Sequence, residues 1–94
     1  MAVRQRWAMI KYRYGLTQDE WMGLLAEQGG KCAICARDLD HELVTRTTPG
    51  KACVDHDHET GVVRGLLCTD CNIGIGRLRH DPNVLTAALR YLGR

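Results

Sequence analysis

Two Cys-x-x-Cys pairs constrain this chain more than any other feature. They are Cys32 and Cys35 in KCAIC, and Cys68 and Cys71 in LCTDC. A tight turn with thiolates at this spacing presents two neighbouring corners of a tetrahedron. Two such turns complete a closed four-sulfur site that suits zinc and leaves no position open for substrate, so the site is structural. The chain has 94 residues and no Phe, which predicts one small domain with a thin core. In such a domain a bound zinc carries much of the folding energy, on the order of 10 kcal/mol or more at neutral pH. Thirty-two residues, 36 to 67, separate the two pairs, so the metal clamps the ends of a long insertion. A rival zinc set of Cys32, Cys35, His56 and His58 would leave Cys68 and Cys71 idle and would use a tighter His spacing than such sites favour. Cys53 belongs to neither pair and reads as a small buried strand residue. An odd cysteine count without a signal-peptide pattern argues against a disulfide framework and predicts a cytoplasmic protein.

Charge distribution says more than total charge. The net charge is only +2, yet residues 1 to 16 carry Arg4, Arg6, Lys11 and Arg13 and no acid. With Trp7, Tyr12 and Tyr14 interleaved, this segment reads either as an arm for nucleic-acid phosphates or as a solvated helix whose Trp7 and Tyr14 face the core. The charged content of 26% and apolar content of 45% are those of a folded globular chain. No apolar run is long enough to span a bilayer.

The element order follows from periodicity and punctuation. A helix is predicted over residues 3 to 14. Thr17 and Glu20 form a capping box, and Leu16 with Trp21 a hydrophobic staple, for a second helix over 18 to 28 that stops at Gly29-Gly30. Weak strand content is expected around Glu42 to Thr47, with a turn at Pro49-Gly50. ACVDHDH and VVRGLL, separated by Glu59-Thr60-Gly61, predict a hairpin. NIGIGRLRH reads as a short helix weakened by Gly74 and Gly76. Asp81-Pro82 opens a last helix, with Val84, Leu85, Ala88, Leu89 and Leu92 on one apolar face. The expected class is α+β: a helical arm over 1–30, a zinc-clamped core over 31–80 and a C-terminal helix over 81–94.

If the cysteines saturate zinc, then Asp55, His56, Asp57, His58 and Asn72 remain free beside the clamp. Asp and Asn oxygens suit a hard cation such as Mg²⁺, and a neutral His takes a proton from water near working pH. These are parts for metal-assisted phosphodiester hydrolysis. In a regular strand Asp55 and His56 point to opposite faces, which groups His56 with His58 and Asp55 with Asp57. The residues alone do not choose between the two aspartates as a cation ligand. Asp57 also reads as a turn-capping carboxylate, and Arg64 either contacts phosphate or braces the hairpin.

The run CAIC…VDHDHETGVVRGLLCTDCNIGIG, about Lys31 to Gly76, resembles the recombination endonuclease VII family, a zinc-clamped branch of the HNH or ββα-metal nucleases. The resemblance rests on both cysteine pairs, Asp-His-x-His, Arg-Gly-Leu-Leu and Cys-Asn together. It implies a ββα-metal fold and DNA, duplex or branched, as substrate. It implies Cys32, Cys35, Cys68 and Cys71 on structural zinc, and Asp55 and Asn72 on one catalytic Mg²⁺ or Mn²⁺. It puts the general base on His56 and a phosphate-contacting or substrate-positioning role on His58. Products with 5′ phosphate and 3′ hydroxyl ends and a phage or prophage origin go with it. Family members that resolve junctions carry long C-terminal extensions that build a dimer; here 22 residues follow Asn72, and monomer and homodimer both stay open. A non-catalytic zinc module that binds nucleic acid is the main alternative, and a redox switch acting through the Cys pairs a third.

Overall fold

The architecture was read from a computed structural model, which describes residues 3–40 and 50–93, with side chains from Arg6 onward. The strand expected around Glu42 to Thr47 lies outside the described residues. Among the described residues the order is α1 (Val3–Tyr14), α2 (Gln18–Glu27), β1 (Cys53–His56), β2 (Val63–Leu67), α3 (Thr69–Arg77) and α4 (Pro82–Tyr91). This is a small α+β domain in which an antiparallel β1–β2 hairpin runs straight into α3. No described helix is long and apolar enough to cross a membrane.

The helix starts obey the local chemistry. Thr17 Oγ1 accepts from the Glu20 amide at 3.1 Å, while the Thr17 amide donates to Glu20 Oε1 at 2.9 Å. This reciprocal box satisfies two amides that a helix start leaves free, and these bonds hold the Glu20 carboxyl below its ordinary range. Leu16 packs on the same cluster as Trp21, as a staple requires. Asp81 caps α4 through a 2.8 Å bond from the Asn83 amide, with Pro82 in the first turn.

The core is thin. Trp21, Leu25, Cys32, Leu39, Ala52, Leu66, Leu67 and Cys68 are buried, and Trp7, Ile10, Leu24 and Val54 pack against them. Trp7 meets Trp21 edge-on at 5.1 Å, which settles Trp7 as a core residue. The guanidinium of Arg6 lies over both indole rings, at 5.1 and 5.2 Å. The apolar face of α4 is only half used: Val84, Leu85 and Ala88 are half-buried, while Leu89 and Leu92 are exposed. No residue of α4 is fully buried, so its apolar face is only partly covered among the described residues.

Gln28 ties α2 to the sheet. Its amide oxygen accepts from the Leu66 amide at 2.9 Å and its amide nitrogen donates to the Leu66 carbonyl at 2.9 Å and the Lys31 carbonyl at 2.7 Å. The side chain thus pairs with the outer edge of β2 as another strand would. Gly65 permits this approach, because a Cβ there would stand 3.0 Å from Gln28 Oε1.

Helix α3 starts earlier than Asn72. Cys68 is its N-cap, with Sγ accepting from the Cys71 amide at 3.4 Å. The second Cys-x-x-Cys is therefore the first turn of a helix. The helix ends in a two-bond turn: the His80 amide donates to the Ile75 carbonyl at 2.8 Å and the Arg79 amide to the Gly76 carbonyl at 3.0 Å. Such a turn usually places Gly in the left-handed region. Here Arg79 (φ 62°) and His80 (φ 53°) adopt it, at roughly 1–2 kcal/mol per residue.

Replacing Gln28 by Ala leaves the Leu66 amide without its acceptor in a part-buried site. We expect a loss of about 1–3 kcal/mol, read from the midpoint of a denaturant titration.

Candidate metal centre and active site

The four cysteines of the two pairs converge. Their sulfur atoms all lie within 4.8 Å of one another, and Cys35 Sγ is 3.8 Å from Cys68 Sγ. A zinc–sulfur distance of about 2.3 Å puts the corners of a tetrahedron about 3.8 Å apart, so the set fits zinc. The rival set that used His56 and His58 is not what the fold assembles among the described residues. The first pair sits in a knuckle where the Cys32 amide donates to the Arg37 carbonyl and the Ala36 amide to the Cys32 carbonyl. Burial opposes ionisation of Cys32, but amide donors at Cys35, Cys68 and Ile34 overcome it and bring its pKa to about 6. Burial pushes the Cys68 and Cys71 thiols up. A divalent cation resolves that conflict, because it stabilises thiolates that would otherwise repel one another. Arg37 joins the two knuckles through a 3.1 Å bond to Asp70.

The pairing of the hairpin changes between Asp55 and His56. Asp55 pairs with Gly65, but His56 pairs with Val63, and the register shifts between them. Arg64 is therefore the extra residue of a bulge on β2. In regular register it would oppose His56 and share its face; released from that pairing, it reaches Asp55 instead. Arg64 Nε donates to Asp55 Oδ2 at 2.8 Å and Nη2 to Asp55 Oδ1 at 3.0 Å. Nη2 also donates to the His56 carbonyl at 3.2 Å. The Asp55 hydrogen bonds hold the Arg64 guanidinium more firmly in its charged form. Asp55 is only 8% exposed, so a charge partner is what makes its burial tolerable. Arg64, open in the sequence between phosphate contact and brace, is a brace here.

Asp57 parts from Asp55. Strand β1 ends at His56, and the Asp57 carboxylate accepts from the Glu59 amide at 2.8 Å and the Thr60 amide at 3.1 Å. Those bonds, Thr60 first, lower its pKa. It is the turn-capping carboxylate of the hairpin.

The imidazoles form a row. His56 stacks on His58 with centroids 4.6 Å apart. Tyr14, from the end of α1, lies 5.4 Å from His56 on one side, and His80 lies 4.5 Å from His58 on the other. His80 was absent from the sequence-based site, where it stood only as the last residue of the NIGIGRLRH segment. Beside the row a pocket of about 250 Å³ opens between α1 and β1. Arg6, Arg13, Tyr14, Lys51, Cys53 and Asn72 contribute to its wall. Tyr14 is common to pocket and row. Of the residues singled out for phosphate contact, Arg6 and Arg13 line the pocket, Lys11 is exposed elsewhere on α1, and the Arg4 side chain lies outside the described residues. Asn72 follows Cys71 within α3, and its amide donates to the Cys68 carbonyl at 3.0 Å. Cys53 is half-buried rather than buried, and its sulfur lies 3.7 Å from Thr69 Oγ1.

Comparison with known proteins places the chain among relatives. The family model described as recombination endonuclease VII matches residues 7–94. The "Gene 59 protein" of Mycobacterium phage D29 is 42% identical over 80 residues, which is 84% of this chain and 44% of that protein. The "Gene 59 protein" of Mycobacterium phage L5 is 41% identical over 80 residues with the same coverage. The chain thus spans less than half the length of these two phage relatives.

Elemental analysis of the purified protein should find one zinc per chain. Its removal by a strong chelator, or Cys68→Ser, should abolish the cooperative thermal transition, because structural zinc supplies on the order of 10 kcal/mol or more, as much as the whole stability of a small domain. A second expectation concerns pH. The folded pKa of Asp57 lies below its unfolded value, so its stabilisation is present above the unfolded pKa of about 3.9 and fades as pH falls through the folded value. The melting midpoint of Asp57→Ala should fall below that of the wild type at pH 7 and converge with it as the pH drops toward 3.

Proposed function

The chain belongs to the recombination endonuclease VII family, and from that premise we propose that it is an HNH-type, ββα-metal DNA endonuclease that hydrolyses phosphodiester bonds. The observation that carries the reading is that a buried Asp55 and an adjoining His56, in a row of imidazoles, end β1, and that Tyr14 of α1 joins this row to a pocket lined by Arg6, Arg13, Lys51 and Asn72. In this reading residues 1–94 act as one domain: an arm over 1–30, the zinc-clamped core over 31–80 and the helix over 81–94.

His56 is the general base. An imidazole nitrogen takes the proton of the attacking water, and Arg64, bonded to the His56 carbonyl, keeps its backbone from shifting as the ring gains charge. His58, exposed and stacked on His56, turns toward the phosphate or positions the substrate. Asp55 and Asn72 are the ligands for Mg²⁺ or Mn²⁺. They fit as hard oxygen donors, because a carboxylate has about four acceptor positions and Arg64 occupies two. When bound, that cation stabilises charge on the phosphate and on the departing 3′ oxygen. Arg13, Lys11 and Arg6, with Arg4, grip backbone phosphates along α1. The zinc holds the frame and takes no part in the chemistry. The cytoplasm of a phage's host is where we place the reaction, in keeping with reduced cysteine ligands.

Incubation with supercoiled plasmid and Mg²⁺ tests the reading. The zinc-loaded protein should nick it, and His56→Ala should reduce the rate by about 10²- to 10⁴-fold. A wild type that nicks under no divalent metal would leave a zinc module that binds without cutting.

A further inference from the structure

We infer that His80, through its contacts with both His58 and Arg64, is a positioning residue of the active site. The inference rests on the reading of His56 as the base. His80 arrives from the turn after α3, far in sequence from the Asp-His-Asp-His string, yet its ring lies 4.5 Å from that of His58. With His56 and His58 at 4.6 Å, three imidazoles make one continuous row, closed at the far end by Tyr14.

The polar contact gives His80 a second role. Arg64 Nη2 lies 3.3 Å from His80 Nδ1. A guanidinium only donates, so a hydrogen bond at this contact requires Nδ1 to accept. Nη2 carries two hydrogens: one goes to Asp55 Oδ1, and the other is shared between the His56 carbonyl at 3.2 Å and His80 Nδ1 at 3.3 Å. His80 is the one of these that belongs to neither strand, so it ties the bulged arginine to the end of α3.

The backbone at this point is strained in a way that local folding does not require. Helix α3 could end on a single left-handed glycine. Instead Arg79 and His80 are both left-handed, and neither is Gly. His80 is not part of the buried cluster, and the N-cap of α4 is Asp81, not His80. Strain held where a side chain meets a site points to a role in that site. The conformation brings the imidazole to 4.5 Å from the ring of His58, an exposed residue that also stacks on His56. Residue 80 therefore limits the orientations of His58 and steadies the Arg64 clamp beside His56.

The test compares wild type, His56→Ala, His80→Ala and His80→Asn in the full chain. Asn tolerates a left-handed backbone and offers Oδ1 where His offers Nδ1, but it has no ring to stack. Nicking of supercoiled plasmid gives kcat and KM, calorimetry gives the melting midpoint, and proton–nitrogen spectra of the DNA-free protein report the imidazoles. For His80→Ala we expect kcat to fall about tenfold to a hundredfold, the scale of a misplaced catalytic group, with KM little changed and the His58 ring signals shifted. His80→Asn should recover part of kcat. A His80→Ala protein that nicks at the wild-type rate, while His56→Ala does not nick, overturns this inference and leaves the nuclease reading standing. So does a loss in KM alone, or a loss that follows the melting midpoint and vanishes when assayed well below it. A zinc-loaded wild type that never nicks overturns both.

Discussion

The four-thiolate cluster is the constraint on which the rest depends. A chain of this length buries only a thin core, and two of its core members, Cys32 and Cys68, are cluster residues. Metal binding and hydrophobic burial are therefore one event rather than two. The cluster also does local work. Cys68 Sγ caps α3, so closing the site fixes where that helix starts. The next residues along the helix are Cys71 and Asn72, and the strand that leads into Cys68 carries Arg64. One set of sulfurs thereby sets the position of the sheet, the helix and the side chains that face the pocket.

The hairpin shows a second physical choice. A buried carboxylate needs a partner or it loses its charge. Asp55 accepts from two nitrogens of Arg64, Nε and Nη2, in a forked geometry that suits carboxylates. Regular pairing would have put Arg64 on the wrong face, and a one-residue bulge corrects it at the cost of a ladder pair. Bulges re-aim side chains in this way. Asp55 and His56, adjacent in sequence and on opposite faces of β1, answer to different neighbours: an arginine for one, a tyrosine and a histidine for the other.

Much of this was legible in the residues because it is local. Capping boxes, knuckles and hairpins are set by side chains a few positions apart, and all three were found where Thr17, Cys32 and Gly61 announced them. The early start of α3 was hidden because Cys68 reads as a metal ligand and not as a cap, although sulfur can accept an amide. The partial exposure of α4 was hidden because an apolar stripe records what a helix can bury, not what stands opposite it. His80 was hidden for the deepest reason. Its partners lie 16 and 22 residues away, and its approach depends on two left-handed residues that no propensity would choose. The family resemblance supplied roles for Asp55, His56 and Asn72 that period-two reasoning left open.

Helix α1 changes meaning in this light. From charge alone it is either a basic arm for nucleic-acid phosphates or a solvated helix face. In the fold its Trp7 is locked edge-on against Trp21, and Arg6 lies across both rings, so the helix cannot swing without opening the core. Its last residue, Tyr14, touches His56, and Arg13 lines the adjoining pocket. Basic residues fixed on a rigid wall differ in effect from those on a tether. A tether raises local concentration of an anion, whereas a wall sets the register of the backbone that it holds. In the proposed nuclease, cations on α1 would decide which phosphate comes to rest beside His56, and binding and positioning would be the work of one helix.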